Sequence, residues 1–301
     1  MHAFPAWQPH PEVWFLIAGV IGLGWYAKHR IEPNAVAAGQ PAITVAQRRW
    51  FVLGVIILWA ASDWPIHDIA EERLYFVHMI QHTLMTFVVP PVFLLATPEW
   101  LGRYLLGDGR VDRVFHRLAR PLPAALIFNL LVAVSHWSWI VNHSVQIGAL
   151  HYAAHTLLVS SALLVWTPIC GPFPELRMSP PSRMIYLFML SIIPTVPSAW
   201  LTASTGVLYS AYDHGPRLWG VDVISDQQMA GVVMKLGGAM YLWSIIVFTF
   251  FRWMASGNDP KKKFRGTFVP TVRPDDVAVS ALADGSGLSR PSGRTEPLPV
   301  E

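Results

Sequence analysis

The sequence predicts an all-α, polytopic membrane protein with seven transmembrane helices. Hydrophobic residues make up 53% of the 301-residue chain and charged residues only 14%, whereas soluble domains carry about a quarter charged residues. The apolar residues are grouped in long runs, and a run of about 20 such residues is enough to cross a bilayer. Lipid is therefore the expected solvent for most of the chain.

The apolar runs give the individual spans. We place them at residues 13–28, 49–63, 75–97, 121–141, 148–170, 184–203 and 229–253. The N-terminal segment has neither a basic region nor a small-residue cleavage site, so we expect the first run to remain as a helix. Residues 1–256 are thus predicted to form a seven-helix transmembrane domain. Residues 257–301 are polar and rich in Pro, Gly and Ser, which predicts a disordered cytoplasmic tail.

The positions of basic residues predict the orientation of the chain. All of the 22 Lys and Arg residues except Arg73, Arg217 and Lys235 fall in the alternate segments 28–49, 98–120 and 171–183 or from residue 252 onward. Because Lys and Arg favour the cytoplasmic side, the N-terminus is predicted to lie outside and the C-terminus in the cytoplasm. Short basic clusters between apolar runs indicate loops against an anionic lipid bilayer and do not favour a nucleic-acid partner.

Two pairs of histidines are the strongest functional signal. With the predicted topology, all but two of the 12 histidines lie outside or in the outer half of a span. His78 and His82 are four residues apart in the third span, and His151 and His155 are four apart in the fifth. Such a spacing stacks two side chains on one helix face, about 6 Å apart along the axis. Two helices of this kind can enclose a transition-metal ion, for which neutral imidazole is a good ligand.

These pairs, with the carboxylate that opens the last span, define a candidate metal site. We predict that it comprises His78, His82, His151, His155 and Asp226, with the four imidazoles ligating the ion and the carboxylate supporting them or accepting a proton. Further residues at a similar depth are predicted to support the site, and they are Asp63, His67, His136, Gln227, Met229, Met234 and Lys235.

The donor set favours copper as the ion. Imidazole nitrogen and thioether sulfur both suit copper, and the single cysteine excludes a paired-thiolate store. Lys235 does not fit easily into such a site, since it lies about 9 Å inward from Met229. Its ammonium group would repel a metal ion unless it reaches outward or pairs with Asp226.

Four motifs recur in order along the chain. They are H-x-x-Q-H at His78–His82 with Pro90, Pro91 and Pro98 after it, H-x-x-x-H at His151–His155, W-x-P at Trp166–Pro168, and D-Q-x-x-A-G-x-x-M at Asp226–Met234. In this order, and over about residues 10 to 255, the sequence resembles the seven-span CtaG-type cytochrome c oxidase assembly factors. It departs from the family pattern after Met234, where Lys235 stands in place of the usual Trp.

The resemblance implies a multi-pass protein of the bacterial plasma membrane that helps haem–copper oxidases to mature. It implies an assembly factor rather than an enzyme, with the catalytic subunit of the oxidase as its partner and copper as the metal that reaches that subunit.

Other functions are compatible with the same residues. A membrane cytochrome of the b type would need only one histidine from each helix, such as His82 and His155, as axial haem ligands. A metal-dependent intramembrane hydrolase would use the histidines and Asp226 around zinc, although the sequence has no H-E-x-x-H motif. A transporter is less well supported, because the polar cluster lies toward one face rather than at the bilayer midplane.

Overall fold

The all-α class predicted from the sequence is confirmed. The computed structural model describes residues 6–192, 194–213 and 218–257. Helices and the turns between them account for these residues, and none of them lies in a strand.

The helices follow one another with short connections. In chain order they are α1 (Pro11–Tyr26), α2 (Glu32–Ala37), α3 (Val45–Ser62), α4 (Ile66–Glu72), α5 (Tyr75–Thr83), α6 (Val89–Ala96), α7 (Glu99–Leu106), α8 (Arg110–Leu118), α9 (Pro121–Ser135), α10 (Ser138–Ser144), α11 (Gly148–Cys170), α12 (Pro180–Ile192), α13 (Thr195–Ala203), α14 (Val223–Val232) and α15 (Gly238–Gly257). Turns of π-helix join α1 to α2, α5 to α6 and α14 to α15, at Ala27–Ile31, Leu84–Val88 and Val233–Gly237, and 3₁₀ turns occupy Pro174–Leu176, Ser210–Tyr212 and Leu218–Gly220.

Several helical stretches have the length and composition of membrane spans. In the described chain there are five, and they are Val45–Glu72, Tyr75–Ala96, Gly148–Cys170, Pro180–Ala203 and Val223–Gly257. A sixth is present if α8 and α9, which are bent by 79° at their junction, cross together. The first predicted span corresponds to α1, which is only 16 residues long and runs directly into the charged π turn that carries Lys28 and Arg30. Length and composition therefore support five or six spans.

The outward faces of these helices are apolar, as expected for contact with lipid. On α9, Leu122, Leu126 and Leu130 are each more than 60% exposed and recur every four residues, which places them on one stripe. The opposite side of α9 carries Ala124 and Phe128, which are buried. In water such an exposed leucine stripe would be unfavourable, so the helix is built for an apolar solvent.

The main hydrophobic core surrounds α11. Buried side chains of α9, α11, α12 and α15 and of the π turn Leu84–Val88 meet there, and the largest of them include Phe87, Phe128, Trp166, Leu187 and Leu242. Because α11 contributes to this core along much of its length, its rotation about its own axis is fixed by packing. That rotation decides where His151 and His155 point.

A proline in the third predicted span frees a carbonyl that the core then uses. Pro90 has no N–H to donate to the carbonyl of Thr86, four residues earlier. The indole N–H of Trp166 donates to that oxygen at 2.9 Å, and the indole is buried. This hydrogen bond joins the π turn to the centre of α11, where water cannot replace it.

The segment before α1 is tied to the ends of other helices. His10 Nε2 lies 2.6 Å from Asp68 Oδ1 in α4, and His10 Nδ1 lies 3.3 Å from Glu12 Oε1. Partial burial acts to lower the pKa of His10, but the hydrogen bonds and charges of Asp68 and Glu12 outweigh it and raise the pKa above the usual value. Asp63 accepts hydrogen bonds from the indoles of Trp14 and Trp59 and so joins α1 to α3.

The chain divides into two compact units, Met1–Trp253 and Met254–Glu301. Of the second unit, the structure describes only the last turn of α15, which ends at Gly257. The predicted cytoplasmic tail therefore lies, apart from Gly257, outside the described residues.

The substitution Trp166→Phe tests the carbonyl contact in the core. It keeps an aromatic ring but leaves the Thr86 oxygen without its donor, which should lower the free energy of unfolding by about 1 to 3 kcal/mol. Thermal unfolding of the purified protein in detergent measures this. Trp243→Phe, on an exposed face of α15, is the matched control, and equal stability of the two variants would contradict the proposed role of the hydrogen bond.

The raised pKa of His10 predicts a pH-dependent contribution to stability. A group whose pKa is higher in the folded protein stabilises it fully below its unfolded pKa, about 6.5, and loses this contribution as the pH rises through the folded value. Raising the pH above about 6.5 should therefore lower the melting temperature, and His10→Gln should remove that part of the decrease. Asp68→Asn should remove most of the same effect, because it removes the charge of the nearer of the two carboxylates, at 2.6 Å against 3.3 Å for Glu12. A pH profile unchanged in both variants would exclude the ion pair as its source.

Candidate metal centre

Three of the predicted ligands come together between α5 and α11. Each of His78, His82 and His155 offers a ring nitrogen, and these three nitrogens lie within 4.8 Å of one another. The ring centres of His78 and His82 are 4.4 Å apart, and that of His155 lies 4.6 Å from His82 and 5.6 Å from His78. Ligands at metal–nitrogen distances of about 2.1 Å are at most about 4.2 Å from each other. Small side-chain rotations would therefore bring all three onto one ion.

The same three rings have unused hydrogen-bonding capacity. Buried nitrogens His78 Nδ1, His82 Nε2 and His155 Nε2 have no hydrogen-bond partner among the described residues. A buried polar atom without a partner costs about 1 to 3 kcal/mol, so three such atoms side by side are unfavourable unless something binds them. A metal ion that accepts their lone pairs would remove this cost.

The fourth predicted ligand, His151, borders this histidine trio but is directed to a carboxylate. Its ring centre is 4.3 Å from that of His155 and 5.7 Å from that of His78. Its Nε2 lies 2.6 Å from Glu71 Oε1 in α4. A histidine whose one nitrogen is held by a carboxylate is oriented through that contact. His151 therefore stands next to the trio, with Glu71 behind it.

Asp226 lies at the start of α5 and does not join the trio. Its two carboxylate oxygens accept hydrogen bonds from the backbone N–H groups of Tyr75 and Phe76, each at 2.9 Å, and the side chain is fully buried. The first N–H groups of a helix have no partner within the helix, and Leu74, at the capping position, has no side-chain oxygen to offer. The carboxylate thus caps α5 from α14 and complements the positive end of its dipole.

Gln227 plays a similar part at the same end of α14. Its Oε1 accepts hydrogen bonds from the backbone N–H groups of Leu208 and Tyr209, and its Nε2 donates to the carbonyl of Val223. Both polar residues of the D-Q motif therefore hold backbone in place beside the site.

His136 and two methionines lie on the far side of His82. The His136 ring centre is 6.0 Å from that of His82, and its Nδ1 lies 2.7 Å from the carbonyl of Val132. Because that carbonyl accepts the Nδ1 proton, the lone pair is on Nε2, which lies 3.4 Å from Met79 Sδ. Met234 lines a small cavity of about 40 Å³ together with these three side chains. An imidazole nitrogen and a thioether sulfur thus lie close together here.

The remaining predicted supporters lie apart from the trio. His67 Nδ1 is 3.2 Å from Gln81 Nε2, and its Nε2 is 3.3 Å from Glu71 Oε1, so His67 contacts Glu71 rather than the trio. Asp63 holds tryptophan indoles, as described above, and Met229 is 36% exposed and outside the site.

Lys235 has hydrogen-bond partners that were not predicted from the sequence. Its Nζ donates hydrogen bonds to the carbonyl of Ser191, at 3.1 Å, and to Thr195 Oγ1. Ser191 is near the end of α12 and Thr195 opens α13, so the ammonium binds oxygens at the break between these helices. Its charge is thereby directed to the break and not to the histidine trio.

Two residues that organise the site are not among those predicted from the sequence. Glu71 contacts both His67 and His151, and Gln81 donates to the carbonyl of Ala61 as well as contacting His67. A signal for Glu71 was present, because His67 and Glu71 are four residues apart and share a helix face. Gln81 lies inside the H-x-x-Q-H motif itself, between the two histidines.

Comparisons with curated proteins and with solved structures found no match. A protein-family model described as cytochrome c oxidase caa3 assembly factor (Caa3_CtaG) matches residues 23–256. This range contains the histidine trio, Glu71 and the Asp226 cap, and it covers well over half of the chain. The chain therefore belongs to the cytochrome c oxidase caa3 assembly factor family.

Proposed function

We propose that this protein assists the assembly of a haem–copper oxidase by holding copper at His78, His82 and His155 and passing it to the catalytic subunit. The observation that carries the proposal is the set of three adjacent imidazoles, each with a buried, unpartnered nitrogen. The family membership supplies the client, since its members are described as assembly factors for cytochrome c oxidase. No catalytic role is proposed.

The surroundings of the trio favour copper over harder cations. Three neutral imidazoles with a thioether nearby are soft or borderline donors, which suit Cu(I), Cu(II) and Zn(II) and do not suit Mg²⁺ or Ca²⁺. The site also lacks thiolates, because Cys170 lies at the other end of α11. A site without thiolates binds copper less tightly than a thiolate store, which fits a protein that has to release its metal.

The site is proposed to lie toward the external face of a bacterial plasma membrane. The trio lies in the first half of the helical stretch Tyr75–Ala96 and in the first half of α11, and the distribution of basic residues favours an external N-terminus with seven crossings. In this arrangement α1 supplies the first crossing, and the α8–α9 region contributes to the fourth. Copper bound there would be near the depth at which an oxidase in the same membrane could receive it.

The geometry does not favour the haem and hydrolase alternatives. Axial histidines have to face each other across a porphyrin, but the rings of His82 and His155 are 4.6 Å apart with His78 beside both. That spacing leaves no layer for a macrocycle. A zinc hydrolase that uses Asp226 as its base is disfavoured because both oxygens of that carboxylate accept backbone hydrogen bonds.

Copper binding by purified variants tests the proposed site. The wild-type protein, loaded with Cu(I) under reducing conditions and freed of excess, should retain about one copper ion per chain, as expected for one three-nitrogen site. His155→Ala should lower the retained copper strongly, and the triple change of His78, His82 and His155 to Ala should abolish it. Elemental analysis gives the stoichiometry, and oxidase activity in cells that depend on this protein gives the functional result.

The matched control for this experiment is His143→Ala. His143 is outside the cluster, with its Nδ1 bonded to the carbonyl of Trp139, and its loss should not change the copper content. If the triple variant retains as much copper as the wild type, the proposed site is wrong.

Asp226→Asn separates a capping role from a metal-ligand role. The change removes the charge and one of two acceptors at the start of α5, so the free energy of unfolding should fall by about 1.5 to 3 kcal/mol. Folded protein should still retain the wild-type amount of copper, since the carboxylate does not reach the trio. Asp108→Asn, in the exposed turn before α8, is the control for stability. Loss of copper without loss of stability would instead make Asp226 a ligand.

A further inference from the structure

A cavity that borders the candidate metal centre at His155 lies between α1, α3, α6 and α11. Its volume is about 450 Å³, within the range of pockets that bind small organic molecules. Along α11 its lining extends from His151 to Leu163, a helix length of about 18 Å. The walls are almost entirely apolar and include Val13, Val20, Leu58, Val89, Val159 and Leu163. The cavity is therefore long enough for a linear hydrocarbon chain.

One end of the cavity is polar and, besides His151 and His155, it carries two unsatisfied groups. Ser62 Oγ and Gln81 Oε1 both line the cavity, are buried, and have no hydrogen-bond partner within the described part of the chain. Ser62 is 6% exposed and Gln81 is 1% exposed, so bulk water does not reach them freely. Most helical Ser and Thr residues bond a carbonyl one turn earlier, as Thr83 and Thr97 do here. Ser62 does not, which leaves its hydroxyl available to a ligand.

The chemistry of these two groups defines what the ligand has to offer. The Gln81 amide nitrogen donates to the carbonyl of Ala61 at 2.8 Å and lies 3.2 Å from His67 Nδ1. An inverted amide would place oxygen against the Ala61 oxygen, so the orientation of Gln81 is fixed. Its free oxygen can only accept. The ligand therefore needs a hydrogen-bond donor at this end, and a hydroxyl group would satisfy Gln81 and Ser62 together.

Charge at the same end excludes the common lipid headgroups. No Lys or Arg is among the side chains that line the cavity, and Glu12, whose carboxylate accepts a hydrogen bond from the Tyr152 hydroxyl at 3.1 Å, is present. A phosphate or carboxylate would meet a negative charge and no cation. The head of the ligand is therefore neutral.

The first apolar side chain beyond the polar end favours an aromatic head. Met85 is one turn after Gln81 on the same helix face and lines the cavity. A thioether contacts aromatic rings favourably.

We propose that this cavity binds an isoprenoid quinol, with a ring hydroxyl between Ser62 and Gln81 and the tail along α11. The proposal goes beyond the copper function and does not depend on it, because neither anchoring residue belongs to the histidine trio. A membrane-dissolved ligand can enter from the bilayer between α1 and α11, where the apolar wall leads to the polar end.

Binding of radiolabelled decylubiquinol under anaerobic conditions tests the proposal. The protein is placed in phosphatidylcholine nanodiscs, and empty nanodiscs correct for partition into lipid. We expect saturable binding of the quinol and weaker binding of decylubiquinone, which lacks the hydroxyl donor. Ser62→Ala removes one hydrogen bond to the ligand but no contact within the protein, and should weaken binding about five-fold. Ser160→Phe fills the cavity and should abolish saturable binding.

The matched control for the filled cavity is Ala153→Phe, which adds the same ring to an exposed position of α11 that does not line the cavity. Its affinity for decylubiquinol should equal that of the wild type. Undiminished binding to Ser160→Phe, or equal binding of quinol and quinone, would overturn the proposal. Displacement of the quinol when phosphatidylglycerol replaces part of the phosphatidylcholine would also overturn it, since the occupant would then be a phospholipid chain. Copper content is not a readout here, so failure of the copper proposal leaves this result unaffected.

Discussion

The hydrogen bonds from Tyr75 and Phe76 to the Asp226 carboxylate are the constraint on which the site depends. A helix that begins inside a membrane protein has N–H groups that neither water nor lipid can satisfy. One buried carboxylate satisfies two of them and opposes the positive end of the helix dipole. Because the first histidine of the trio follows only one turn later, the same contact fixes the depth and rotation of α5. The position of the candidate metal centre is thus set from α14, a helix that contributes none of its three histidines.

The second half of the site is positioned by the hydrophobic core. The rotation of α11 is fixed by Trp166 and its neighbours, and the hydrogen bond of that indole to Thr86 joins α11 to the helix that continues from α5. The two helices that carry the histidines are therefore connected by the hydrogen bond between Trp166 and Thr86 as well as at the site itself. A chain of polar contacts through Gln81, His67 and Glu71 closes the site toward α3 and α4. The trio is held by several separate contacts, which makes its geometry difficult to displace by a single side-chain substitution.

Much of this arrangement could be predicted from the sequence, and the exceptions have physical causes. The i, i+4 spacing correctly places His78 with His82 and His151 with His155 on shared faces. The spacing does not show which histidines of two facing pairs meet, because that depends on the rotation of each helix. The contact of His151 with Glu71 shows that this ring is directed away from the trio. A carboxylate at a helix end can ligate a metal or cap a neighbouring helix, and sequence alone does not separate these roles for Asp226. Lys235 was unexpected for a similar reason, since its partners are oxygens at a break between α12 and α13.

The π turn at Leu84–Val88 has a consequence for how this protein tolerates change. A π turn contains one residue more than a regular turn of α-helix, so the segments on either side of it are out of phase by about 100°. The histidine face of α5 and the proline face of α6 are thus set independently, although they belong to one continuous helix. Deleting a single residue within that turn would restore regular α-helix and leave every ligand in the chain. It would nevertheless rotate the imidazoles of His78 and His82 away from α11. The number of residues between these histidines and Pro90–Pro91 is therefore as important for the site as the identity of the residues.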